Sequence, residues 1–299
     1  MPPTAALELT MAGSGEAGGM GTSTRWEGPR WSGLSSRLAR WDPDRSDTGA
    51  TATAAIAALQ GACRTDPSAF GLRDAACAAG VRLADAMEAL GASGPSGLLN
   101  KGPAHEDLGS EEEGPLLDWQ DPADAFVAEL TRRVGGEGGT VVDAALRRAV
   151  TASARRLLTT HPEIRESLST PDGPSQGRGL AGDLLCLLYQ WFFADLVTEF
   201  LRAVIAEKIR LTVPVLDVID SEGRIADGVA ERIIALIPDP CEEAEAQAAD
   251  AAKAALSAND ASAHVNVPLS DVARRLVPGV VGKILGFAVD AHGEEEVPV

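Results

Sequence analysis

DLLCLLYQWFFADLVTEFLRAVIAEKIR, residues 183–210, holds the chain's one Tyr, one of its five Trp and three of its six Phe. Neither Gly nor Pro interrupts it, so the stretch predicts one long helix over about 180–210. On a 3.6-residue period Leu184, Leu188, Trp191, Asp195, Glu199 and Arg202 share a face. The second half of that face is polar and is expected to meet water. The first half is apolar, which leaves Leu184–Phe193 apolar all round and in need of cover. Its longest uncharged run, Leu184–Ala194, is eleven residues, against the roughly 20 that a membrane span needs. The expectation is a buried central helix, with no membrane involved. Exposure of Leu184, Leu188 and Trp191 together would instead mark a partner-binding face.

Working outward, the 299 residues suffice for one large or two modest domains. The chain is 45% apolar but only 4% aromatic, and 51 of its residues are Ala. Ala is the best helix former, so composition points to an all-α protein: an irregular helical bundle around the long central helix. Arg outnumbers Lys by 22 to 4, the composition of a GC-rich bacterial genome. The formal net charge of −18 repels nucleic acid and anionic membranes, so neither is the expected partner. Cys63, Cys77, Cys186 and Cys241 form no C-x-x-C pair, and His105, His161, His264 and His292 do not cluster beside them. Neither a disulfide framework nor a metal or cofactor site is expected, and the thiols read as reduced. With no secretory pattern after Met1-Pro2-Pro3, the expected location is cytoplasmic.

Five regions are expected. Residues 1–47 form a disordered arm rich in Gly, Trp and Arg. Residues 48–91 form a small Ala-rich helical hairpin, weakened at Gly71 and Gly80 by up to about 1 kcal/mol each. Residues 92–120, with three Pro, five Gly and the acidic block Glu111–Glu113, read as a linker. The main helical domain covers 121–289, and 290–299 is an acidic tail. Within the main domain Asp121-Pro122 starts one helix. Thr140 with Asp143 three residues on starts a second as a variant capping box, which His161-Pro162 closes. Helices follow at 224–237 and 240–257, and from a Ser270 cap to 289, with a break or kink at Pro278.

Sequence motifs for chemistry fail on context. Gly13–Gly18 matches G-x-G-x-x-G but lacks the strand before it and the helix after it that seat a pyrophosphate. Gly173–Gly177 matches G-x-S-x-G but carries Pro174 inside it and has no strand before it. Asp195 and Glu199, one turn apart with Arg202 beside them, could serve as an acid/base or metal pair. A di-metal bundle would need a second carboxylate-rich helix with His, and none is present.

Two features point to binding. Arg147, Arg148, Arg155 and Arg156 lie on one arc of the 140–158 helix, preceded by Arg132 and Arg133. Such a face on an acidic protein can hold an acidic partner or a phosphate, or pair with the protein's own acids. Trp26, Arg30, Trp31 and Trp41 lie in the arm, and aromatic and Arg anchors of that kind suit a segment that docks on a partner. The expected function is a non-enzymatic accessory or regulatory subunit of a bacterial multi-component system, binding an unidentified protein. The alternatives are a helical enzyme around Asp195, Glu199 and Arg202, and a nucleic-acid-binding accessory protein using the Trp/Arg arm.

Overall fold

The computed structural model describes residues 29–38, 40, 42, 45–100, 121–136, 139–169, 180–210, 224–257 and 268–287. The chain is all-α, and no strand occurs among the described residues. In chain order the helices are α1 (Pro29–Leu38), α2 (Thr48–Thr65), α3 (Leu72–Asn100), α4 (Pro122–Val134), α5 (Val141–Thr160), α6 (Pro162–Ser169), α7 (Gly182–Arg210), α8 (Arg224–Ile234), α9 (Pro240–Ser257) and α10 (Leu269–Leu285).

Local chemistry starts the helices that frame the site. Asp121 accepts the Ala123 N–H at 2.9 Å, ahead of Pro122 at the first position of α4. At α5 the capping box is complete: the Thr140 hydroxyl accepts the Asp143 N–H, and Asp143 accepts the Thr140 N–H, each at 3.1 Å.

The long helix α7 is the centre of the bundle. Neighbours α5, α8, α3, α9 and α10 all pack on it. Tyr189, Phe192, Phe193 and Phe200 are fully buried. The Phe193 ring meets Tyr189 and Phe192 edge to face, each at 5.0 Å, and the Tyr189 hydroxyl donates to the Ala273 carbonyl of α10 at 3.3 Å. By length and composition residues 182–204 could cross a bilayer, but most of that window is buried by the other helices. Gly80 is a close-approach point: a Cβ there would lie 2.8 Å from both Phe193 Cζ and Val277 Cγ1.

The structure departs from the sequence reading at definite places. The Asp195–Glu199 half of α7 packs on α5 instead of facing water, and Asp195 is 5% exposed. Residues 29–38, expected within the disordered arm, form α1, whose Trp31, Leu34 and Leu38 are buried in a fold where α1 packs on α2. α3 runs on to Asn100 into the expected linker, turning at Gly94 (φ +66°) and burying Leu98 completely. α5 ends at Thr160 with His161 as its C-cap, as His161-Pro162 predicts, but a further helix, α6, starts directly after it, because Pro162 also suits a first helical position. α10 passes through Pro278, and its cap position is Pro268, not Ser270. One apolar cluster includes residues from Trp31 to Leu285 and so crosses the expected boundary between 91 and 121. Residues 1–28, 101–120, 211–223 and 288–299 lie outside the described residues.

Candidate functional site: an arginine groove along α5

An open cleft of about 970 Å³ runs between α4 and α5. Arg82, Arg132, Arg133, Arg147 and Arg155 line it, with Asp124 as its one lining acid. A second cleft of about 670 Å³ lies on the α7 side and shares Arg147, Thr151 and Arg155 with the first. Arg148, Arg202 and Glu199 complete its charges. The two form one surface along α5, with seven arginines and two acids at the wall, on a chain whose net charge is −18.

Backbone carbonyls position much of this charge. Arg82 of α3 donates through Nε (3.0 Å) and Nη2 (2.9 Å) to the Val134 carbonyl at the C-terminal end of α4. Arg147 donates through Nε (3.3 Å) and Nη2 (2.8 Å) to the Gly136 carbonyl. A Cβ on Gly135 would come within 2.7 Å of Arg147 Cγ and 2.6 Å of the Thr131 carbonyl, so glycine is what lets Arg147 cross the end of α4. Gly136 turns the chain with φ +72°. The Thr131 and Thr151 hydroxyls, 3.1 Å apart, tie α4 to α5 along the wall.

Carboxylates neutralise only part of the groove. Arg132 clasps Glu129 with two hydrogen bonds of 2.8 and 2.7 Å, and Arg133 adds a third of 2.6 Å. Burial pushes the Glu129 carboxyl up, but those arginines outweigh it and hold the group below its ordinary range. Among the described residues no carboxylate forms an ion pair with Arg82, Arg147 or Arg155. Their guanidinium forks retain donors, the chemistry that binds carboxylate or phosphate bidentately.

The remaining candidates separate. Asp195 turns into the α5–α7 seam, where it accepts from the Ser153 hydroxyl at 2.8 Å and from Arg156 Nη2 at 2.9 Å. Burial raises its carboxyl above the ordinary value, against the pull of Ser153 and Arg156. Arg156 also lies over the Trp191 ring, 5.5 Å from its centroid, so it belongs to that seam and not to the groove. Glu199 sits between Arg148, at 2.9 Å, and Arg202. Asp195, Glu199 and Arg202 therefore do not converge on one cavity. Leu188 is buried, while Leu184 and Trp191 are half-buried against the core, so the three present no common exposed face. In the arm, Trp31 is 6% exposed and has no surface to offer. Arg30 is exposed and donates to the Ala57 carbonyl at 3.2 Å; Trp26 and Trp41 lie outside the described residues.

Contrary to the expectation of four reduced thiols, Cys186 of α7 and Cys241 of α9 form a disulfide, with Cα atoms 6.0 Å apart. Their separation of 55 residues hides the pairing from motif spacing. Cys63 and Cys77 are not disulfide-bonded, and burial pushes the Cys63 thiol up to about 12. The Asp239 carboxylate joins the disulfide pair to make a three-residue cluster with its ligand atoms within 4.8 Å of one another. Sequence spacing missed Arg82 and Glu129 as well: nothing local links Arg82 to a helix end 52 residues away. Compared with protein-family models, curated proteins and solved structures, the chain matches none.

Proposed function

We propose that the protein works by binding, as a non-enzymatic accessory or regulatory subunit of a bacterial multi-component system, and that the α5 groove receives an acidic segment of its protein partner. The observation that carries this reading is the arrangement of Arg82, Arg147 and Arg155, which share one wall with no carboxylate in ion-pairing distance of them among the described residues. An acidic peptide supplies the missing carboxylates and can enter an open groove. A duplex brings a long run of phosphates against the rest of an acidic protein, where repulsion opposes it.

The test is titration of a labelled oligo-glutamate peptide at low salt, with a DNA oligonucleotide in parallel. Peptide affinity is expected to fall as salt screens the charges. It is expected to weaken by about tenfold or more, a loss of about 1.4 kcal/mol or more, when Arg147→Ala and Arg155→Ala are combined. Binding of DNA but not peptide would favour nucleic acid as the ligand. Binding of neither would end the groove's role.

A further inference from the structure

We infer that Cys186, Cys241 and Asp239 form a redox-gated metal centre, a disulfide when oxidised and a divalent thiophilic cation site, of the Zn²⁺ class, when reduced. The three side chains come from two places that only the fold unites: α7, and the start of α9 with the turn before it. Their ligand atoms already lie within 4.8 Å of one another. The Asp239 carboxylate is oriented by its own turn, where Oδ1 accepts the Cys241 N–H at 2.8 Å. Cys186 is 3% exposed, while Cys241 and Asp239 are half-buried, so the cluster is closed on the Cys186 side and open to solvent on the other.

The chemistry balances in two steps. Two equivalents of a thiol reductant supply two electrons and two protons. The Cys186–Cys241 bond breaks, two thiols form, and the reductant leaves as its own disulfide. A Zn²⁺ ion then displaces the two thiol protons to solvent and binds two thiolates and the Asp239 carboxylate, with water as the fourth ligand. That is the donor set and coordination number this ion takes. Disulfide and metal need the same sulfurs, so each state excludes the other. Both fasten α9 to α7. A cytoplasm that keeps thiols reduced selects the metal form, and an oxidising compartment selects the disulfide. Cys63, sealed in the core with its thiol pushed up, does not compete.

The full chain is prepared oxidised and reduced, and each form is titrated with Co²⁺ as a spectroscopic probe, then with Zn²⁺ against a chromophoric chelator. One equivalent is expected to bind to the reduced form, with a thiolate-to-cobalt charge-transfer band, and none to the oxidised form. Cys186→Ser and Cys241→Ser are each expected to abolish the two-thiolate spectrum, while Cys77→Ser leaves it intact. Asp239→Asn keeps the disulfide, and so can be checked for folding in the oxidised state. It is expected to weaken Zn²⁺ binding in the reduced state by about tenfold or more, since even supporting groups around a metal are worth that much. Equal uptake by both forms, an unchanged spectrum in Cys186→Ser, or no uptake by reduced protein that keeps its helical circular dichroism would overturn the proposal. Loss of helicity on reduction would overturn it too, because no preformed site would then remain.

Discussion

Toward α7, α5 pairs its charges; toward α4 it leaves two, Arg147 and Arg155, without an ion pair among the described residues. In the α7 seam Arg156 meets Asp195 and Arg148 meets Glu199, and a buried Ser153 hydroxyl completes the Asp195 shell. In the α4 groove Arg82 and Arg147 are aimed by the Val134 and Gly136 carbonyls, which orient a cation without cancelling its charge. The same helix thus carries one face whose charges are paired against α7 and one that keeps donors for something else. Pairing partner, not residue type, separates a structural arginine from an available one.

The comparison breaks most visibly if α7 is not the centre. Phe193→Ala removes a fully buried ring that touches Tyr189, Phe192 and the Gly80 contact. It is expected to cost about 3–5 kcal/mol in urea unfolding; a loss below about 1 kcal/mol would move the core elsewhere. Thr140→Ala opens the capping box that sets the start of α5 and should cost about 1 kcal/mol, read from the same midpoint.

Asp195→Asn sharpens the paired side through pH. The folded carboxyl lies above its ordinary value of 3.8 because burial opposes its charge. Between that value and the raised one the folded state holds a proton that the unfolded state has released, so the wild type loses stability as pH rises through the window. The Asn variant lacks this term. It is expected to gain on the wild type from low pH toward neutrality, and the pH dependence of the difference is expected to disappear well below pH 3.8. A variant that instead falls steadily behind as pH rises would mean that the Arg156 pair stabilises the seam. The smallest effect belongs to the groove. The Arg147→Ala/Arg155→Ala protein is expected to unfold within about 0.5 kcal/mol per site of the wild type while losing peptide binding. A large destabilisation would make those arginines structural and erase the contrast.

Much of the fold was legible because helix signals are local. The run DLLCLLYQWFF announced a helix needing cover on all sides, Asp121-Pro122 and the Thr140/Asp143 box announced the starts of α4 and α5, and each is seen. Periodicity was a poorer guide to environment. It placed Asp195, Glu199 and Arg202 on one side of α7 and so suggested water, but a polar side can equally meet the polar side of another helix. The arginine arc of α5 was visible as a pattern. Its division between a paired seam and an open groove was not, since that depends on Asp195 and Glu199 arriving from α7.

The sequence by itself determined the all-α class, most helix positions and the identity of the central helix. Those follow from propensity, caps and apolar spacing within a few turns of chain. Only the tertiary structure decided which charges are neutralised, that Trp31 is buried, and that Cys186 meets Cys241 beside Asp239. The Arg156–Asp195 pair and the Cys186–Cys241 bond join residues 39 and 55 apart in the chain, and no local pattern specifies which distant side chain packing will bring within hydrogen-bonding or bonding distance.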